Sequence, residues 1–166
     1  MRIGWCLLSM VFTIISCSQH RVQSDAYDAM LSILLSHSVN EVTVNETESL
    51  NSPIFLDART LNEFNVSHIE NARFVGFDSM QLSALEGIEK DQPLVVYCSV
   101  GYRSEKVAER LIELGYTNVK NLYGGLFEWM NQNRTVVDVN NLKTKRIHAY
   151  DKTWGVWLTQ GEKVYH

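Results

Sequence analysis

Proline and cysteine are both scarce in these 166 residues, with two of the first and three of the second. With so few prolines and 45% hydrophobic residues, the chain has apolar material for one compact core and not for two. Positive charge is also short. Lys and Arg number 15 against 19 Asp and Glu, a formal net charge of -4. The basic residues are scattered except at Lys143, Lys145 and Arg146, so no nucleic acid partner is expected. The five histidines stand far apart and form no Cys/His cluster, which argues against a metal site. No cofactor is implied, and there is no internal repeat or low-complexity tract. The longest apolar run, residues 3–15, is too short to cross a bilayer comfortably as a helix.

That run follows Arg2, the pattern of a secretory signal. It closes on Ile14-Ile15-Ser16-Cys17, which resembles the lipobox of bacterial lipoproteins: an aliphatic residue, a small residue, then cysteine. The resemblance implies a signal peptide at 1–16 cleaved before Cys17. Cys17 would then be lipidated and face the periplasm from the bacterial cell envelope, since several acyl chains give stable anchoring. Residues 17–24 read as a polar tether, with order expected to begin near Asp25.

Of the three cysteines, Cys6 would leave with the signal and Cys17 would carry lipid, so Cys98 remains as the one free thiol. No internal disulfide is possible in such a mature chain. A solitary cysteine exported to an oxidising compartment is either buried and inert or there for its chemistry.

Periodicity gives a strand and helix alternation. Apolar positions Ala26, Ala29, Met30, Ile33 and Leu34 predict a helix over 26–37 with Asp25 as N-cap. Strands are expected at 42–44, 54–56, 73–77, 94–97 and 119–122, and short helices around Leu61 to Phe64, over 79–88 and over 126–130. An amphipathic helix over 104–114 turns Val107, Ala108, Leu111 and Leu114 inward and stops at Gly115. The alternation defines an α/β domain, 25–138, with a mainly parallel central sheet flanked by helices. Parallel sheets carry their reactive loops at the carboxyl ends of strands, where Cys98 falls.

The loop Cys98-Ser99-Val100-Gly101-Tyr102-Arg103 is suited to negative charge on sulfur. A strand-to-helix turn directs backbone N–H groups into a nest, and Gly101 permits the necessary backbone path. The following helix points its positive end at the same place, and Arg103 adds a full charge. Ser99, Tyr102 and Ser104 are further candidate hydroxyl donors.

Residues 40–137 resemble a single-domain rhodanese. The likeness rests on Phe55-Leu56-Asp57-Ala58-Arg59 with Glu63-Phe64, on His68-Ile69-Glu70-Asn71-Ala72 with Asn71 where glycine is usual, on Val95-Val96-Tyr97-Cys98 with Ser99 to Ser104, and on Leu122-Tyr123-Gly124-Gly125 with Trp129. It implies a sulfurtransferase in which Cys98 takes a sulfane sulfur from a donor such as thiosulfate. Cys98 would hold it as a persulfide and release it to a thiol or cyanide acceptor, with Ser99, Val100, Gly101, Tyr102, Arg103 and Ser104 binding the substrate. It also implies that Asp57 and Arg59 support the loop and that His68 is a satisfied histidine of the core or just behind the site. Because Cys98 would be the one free thiol, any reductant that regenerates it is expected from a partner, such as a thiol reductase. The alternatives are a noncatalytic rhodanese-like redox or partner-binding module, and a cysteine phosphatase or arsenate reductase. The last uses a loop one residue longer between cysteine and arginine. The segment 139–166, with Tyr150, Trp154, Trp157 and Tyr165, is expected to pack on the domain; the alternatives are that it rims the active site or receives a protein partner.

Overall fold

Leu94, Val95, Val96 and Tyr97 form a run with no polar alternation, the pattern of a strand covered on both faces. None of the four is exposed. The computed structural model describes residues 20–165, so the expected signal peptide 1–16 and Cys17 lie outside the described residues. In chain order the elements are α1 (Asp25–Leu34), β1 (Glu41–Val42), β2 (Ile54–Asp57), α2 (Leu61–Val66), β3 (His68–Ile69), β4 (Arg73–Phe74), β5 (Leu94–Tyr97), α3 (Tyr102–Glu113), β6 (Val119–Leu122) and α4 (Gly125–Asn131). They are followed by β7 (Val136–Val137), β8 (Lys143–Thr144), β9 (Arg146–His148) and β10 (Glu162–Val164).

Among the described residues five strands form one sheet in the order β1-β6-β5-β2-β4, every neighbouring pair parallel. This is the α/β architecture expected from the sequence. Alternation along β5 divides the core: Val95 and Tyr97 face Tyr27, Leu31, Leu122 and Phe127, whereas Leu94 and Val96 face Val107, Leu111 and Val119. Helices α1 and α4 therefore cover one face and α3 the other. The carboxyl ends of β2, β4 and β5 open on one edge of the sheet.

Several expectations need correction. The N-cap of α1 is Ser24, whose hydroxyl accepts from Tyr27 N, and not Asp25. The buried face is Tyr27, Leu31 and Leu35, while Ile33 is 87% exposed. The rotation follows from Tyr27, whose ring stacks on Trp157 at 5.3 Å and whose hydroxyl donates to Gly124 O at 2.8 Å. Order begins before Asp25. Val22 is buried and Gln23 N donates to Glu128 Oε1, so these residues of the expected tether are docked. Helix α3 starts at Tyr102, because Gly101 at φ 121° turns the chain and its carbonyl accepts from Glu105 N. The expected helix over 79–88 is only a 3-10 turn at Leu82–Leu85.

The segment after Asp138 packs on the domain. Ile147, Ala149 and Leu158 are fully buried, β9 and β10 pair in parallel, and Asn131 at the end of α4 clamps the segment. Its amide donates to Trp157 O, and its Oδ1 accepts from Thr159 N and Gln160 N.

Candidate active site

Cys98 follows β5 directly and is 1% exposed, at the bottom of a cleft of about 950 Å³. The loop turns so that Gly101 N–H donates to Cys98 Sγ at 3.2 Å. The Gly101 carbonyl is fixed from below: Asn121 Nδ2 donates to it at 3.0 Å, and the Ser104 hydroxyl lies between it and Asn121 Oδ1 at 3.0 and 2.7 Å. Ser104 is thus buried beneath the loop and does not line the cleft, contrary to its expected place among the binding residues. Gly101 contributes its N–H to the sulfur, while Ser99, Val100, Tyr102 and Arg103 line the cleft.

The loop is also tied to α4. Leu126 N and Phe127 N donate to the carbonyls of Cys98 and Ser99 at 2.8 and 3.0 Å. This approach requires glycine at 125, where φ is +56° and a Cβ would stand 2.5 Å from Cys98 O. The Leu122-Tyr123-Gly124-Gly125 stretch, read as a closing turn, is therefore a clamp on the Cys98 loop.

Arg103 does not project freely into the cleft. Its guanidinium forms a bidentate pair with Glu63, Nη1 to Oε2 at 2.8 Å and Nη2 to Oε1 at 2.7 Å, and Nη2 also donates to the Ser99 hydroxyl at 3.1 Å. Ser99 in turn donates to Glu63 Oε1. Burial pushes the Glu63 carboxyl up, but the hydrogen bonds and charge of Arg103, with help from Arg59 and Thr60 N–H, bring it down to about 2. Glu63 also completes a capping box with Thr60 at the start of α2. Glu63 stands in a family-like stretch without an expected role of its own, although Thr60-x-x-Glu63 has the spacing of such a box.

Asp57 and Arg59 form the expected support, both with no exposure. Arg59 Nη2 donates to Asp57 Oδ2 at 2.6 Å and to Ser67 O at 2.7 Å, and Arg59 N–H donates to Asp57 Oδ1 at 2.9 Å. Arg59 Nη1 has no hydrogen-bond partner among the described residues. His68 is buried, stacks on Phe64 at 3.9 Å and has Nδ1 3.0 Å from Phe64 O, a core position.

The outer cleft is apolar. Leu34 from the end of α1, Leu61, Phe74 and Phe77 form much of its wall, and Tyr150 and Trp154 complete it. The segment after Asp138 thus both packs on the domain and lines the cleft. Tyr150 places its ring 5.3 Å from Arg103 Cζ. Its backbone lies at φ +64°, uncommon for a bulky residue, and its N–H donates to His148 Nδ1. Among the described residues no group of His, Cys, Asp or Glu is arranged to hold a metal ion.

A parallel α/β sheet presenting a cysteine loop at the carboxyl end of its central strand defines the class of molecule. The rhodanese-like domain family model matches residues 41–132, and the chain belongs to that family. A thiosulfate sulfurtransferase GlpE of Coxiella burnetii is 33% identical over 76 residues, 46% of this chain and 70% of that protein. A tRNA uridine(34) hydroxylase of Pectobacterium carotovorum is 32% identical over 84 residues, 48% of this chain but only 24% of that protein, so this chain spans about a quarter of its length. Among solved structures, a thiosulfate sulfurtransferase of Pseudomonas aeruginosa superposes with a TM-score of 0.56 at 18% identity, over 68% of this chain and 23% of that one, a likeness of fold.

Proposed function

We propose that the chain is a rhodanese-type sulfurtransferase that works through a persulfide on Cys98. The observation that carries the reading is the Gly101 N–H directed at Cys98 Sγ at the closed end of a cleft, beside the N-terminus of α3. Negative charge on that sulfur, as thiolate or persulfide, meets a preorganised donor and a helix dipole. With thiosulfate as donor, the Cys98 thiolate attacks the outer sulfur, the sulfur–sulfur bond of the donor breaks, and sulfite leaves with the bonding pair. A thiol or cyanide acceptor then takes the terminal sulfur and returns Cys98 to thiolate. Cys98 is the single cysteine among the described residues, so a reductant that recovers it from a sulfenate or mixed disulfide comes from a partner such as a thiol reductase. A cysteine phosphatase has less support, because only Ser99 to Tyr102 separate Cys98 from Arg103, and Glu63 already occupies the guanidinium.

The expected result of thiosulfate treatment is one extra sulfur on Cys98 by mass spectrometry, discharged by cyanide as thiocyanate and absent from Cys98→Ser. Failure to load sulfur from thiosulfate, an organic thiosulfonate or a small persulfide refutes the reading. We propose also that the domain is held at the bacterial cell envelope, facing the periplasm through lipid on Cys17. Arg2, the apolar run 3–15 and Ile14-Ile15-Ser16-Cys17 support this placement. Cys17→Ala should then move the protein from the membrane fraction to the soluble fraction; an unchanged distribution refutes the anchor.

A further inference from the structure

We infer that the cleft takes an organic thiol, or the corresponding persulfide, whose body is apolar and carries no net negative charge, and that Tyr150 and Trp154 select for it. The inference rests on the sulfurtransferase reading and concerns what that chemistry is performed on.

Charge excludes more than it admits here. The two guanidinium groups lining the cleft are already matched, Arg103 by Glu63 and Arg59 by Asp57. Asp78, exposed on the wall, enters no ion pair among the described residues. A small dianion thus meets no uncompensated cation; the donors left to it are Arg59 Nη1, the Gly101 N–H and the α3 dipole, and the last two face the sulfur itself. The carboxylate of Asp78 further disfavours a negatively charged body.

Size and surface point the same way. A volume of about 950 Å³ is that of a site for an organic molecule and far exceeds an inorganic sulfur anion. Leu34, Leu61, Phe74 and Phe77 offer dispersion and desolvation to an apolar body. Tyr150 and Trp154 close the wall from a segment that lies beyond the family match at 41–132.

Both aromatic residues are held in place. Asp151 Oδ1 accepts from Thr153 N at 2.7 Å and from Trp154 N at 2.9 Å, and Ala149 N donates to Val164 O at 2.8 Å. Tyr150 keeps its left-handed backbone between these anchors, a local strain sustained at the mouth of the cleft. The reaction balances without an oxidant. The acceptor thiolate bonds to the terminal sulfur of the Cys98 persulfide, the bond to Cys98 breaks, its electron pair returns to Cys98, and the acceptor leaves as a persulfide.

The test compares two acceptors of the same shape, 4-methylbenzenethiol and 4-mercaptobenzenesulfonate, for discharge of persulfidated full-length protein. Each second-order rate is divided by that for a small free persulfide. The neutral acceptor should be favoured by about 10-fold or more, the scale on which an apolar pocket discriminates. Tyr150→Ala with Trp154→Ala should bring the ratio towards one, and Trp154→Leu, which keeps an apolar side chain at that place, should retain part of it. A wild-type ratio near one, or one that survives both alanine substitutions, overturns the inference. If cyanide discharges Cys98 while the ratio is near one, this inference alone fails. If Cys98 takes no sulfur from any donor, the sulfurtransferase reading fails and takes this one with it.

Discussion

Replacing Glu63 by Gln removes a charge without removing bulk, at the point where three structural roles meet. The carboxylate caps α2, pairs with Arg103 and accepts from Ser99. Its side chain is 2% exposed and that of Arg103 16%, so solvent screens the pair little. The carboxyl stands at about 2 against an ordinary value of 4.5. At 1.36 kcal/mol for each pH unit, this makes ionised Glu63 worth about 3 kcal/mol to the folded state. Because the folded value lies below the unfolded one, that stability is fully present above pH 4.5 and is lost as pH falls towards 2.

Glu63→Gln should therefore cost about 2–4 kcal/mol at pH 7, chiefly by leaving the Arg103 charge without a counter-charge. Its stability should also fall less than that of wild type as pH drops below 4.5. Urea unfolding followed by tryptophan fluorescence measures both. In a double-mutant cycle with Arg103→Gln the coupling should reach about 2 kcal/mol. A coupling below about 0.5 kcal/mol, or an unchanged acid limb in Glu63→Gln, refutes the reasoning.

Asp57→Asn leaves the fully buried Arg59 unpaired and should cost about 3–5 kcal/mol in chemical denaturation; a loss under about 1 kcal/mol would show that Ser67 O suffices. Gly125→Ala places a methyl 2.5 Å from Cys98 O at φ +56°, so it should lose at least about 2 kcal/mol and load less sulfur on Cys98 by mass spectrometry. Loading at the wild-type level would contradict the clamp. Truncation after Asp138 removes the fully buried Ile147, Ala149 and Leu158 from the core and should lower Tm by about 10 °C or more, whereas an unchanged melting curve would make the segment an ornament.

The sheet was legible because β2 and β5 are short apolar runs, each preceded by proline, and the loop because a strand, a cysteine, a glycine and an amphipathic helix follow each other directly in sequence. Local signals served less well for α1. Its buried face was decided by where Tyr27 finds Trp157 and Gly124, contacts made across the chain that the local period does not encode. The start of α3 depended on the positive φ of Gly101, and the fate of Arg103 on a carboxylate from another helix. Ser104 looked like a cleft residue because it sits near Arg103 in sequence, yet the turn of α3 sends its hydroxyl to Asn121. Asn71, standing where the family favours glycine, adopts φ +63°, a conformation asparagine tolerates.

Helix α4 links two things that are distant in sequence. Its first N–H groups hold the carbonyls of Cys98 and Ser99, and its last residue, Asn131, holds Trp157, Thr159 and Gln160. As the chain is synthesised, β9 and β10 are the last of the described elements to emerge. Until they pair, one end of α4 has nothing to grip and the cleft lacks Tyr150 and Trp154. The thiol of Cys98 is thus made well before the wall of its cleft, which waits on Tyr150 and Trp154.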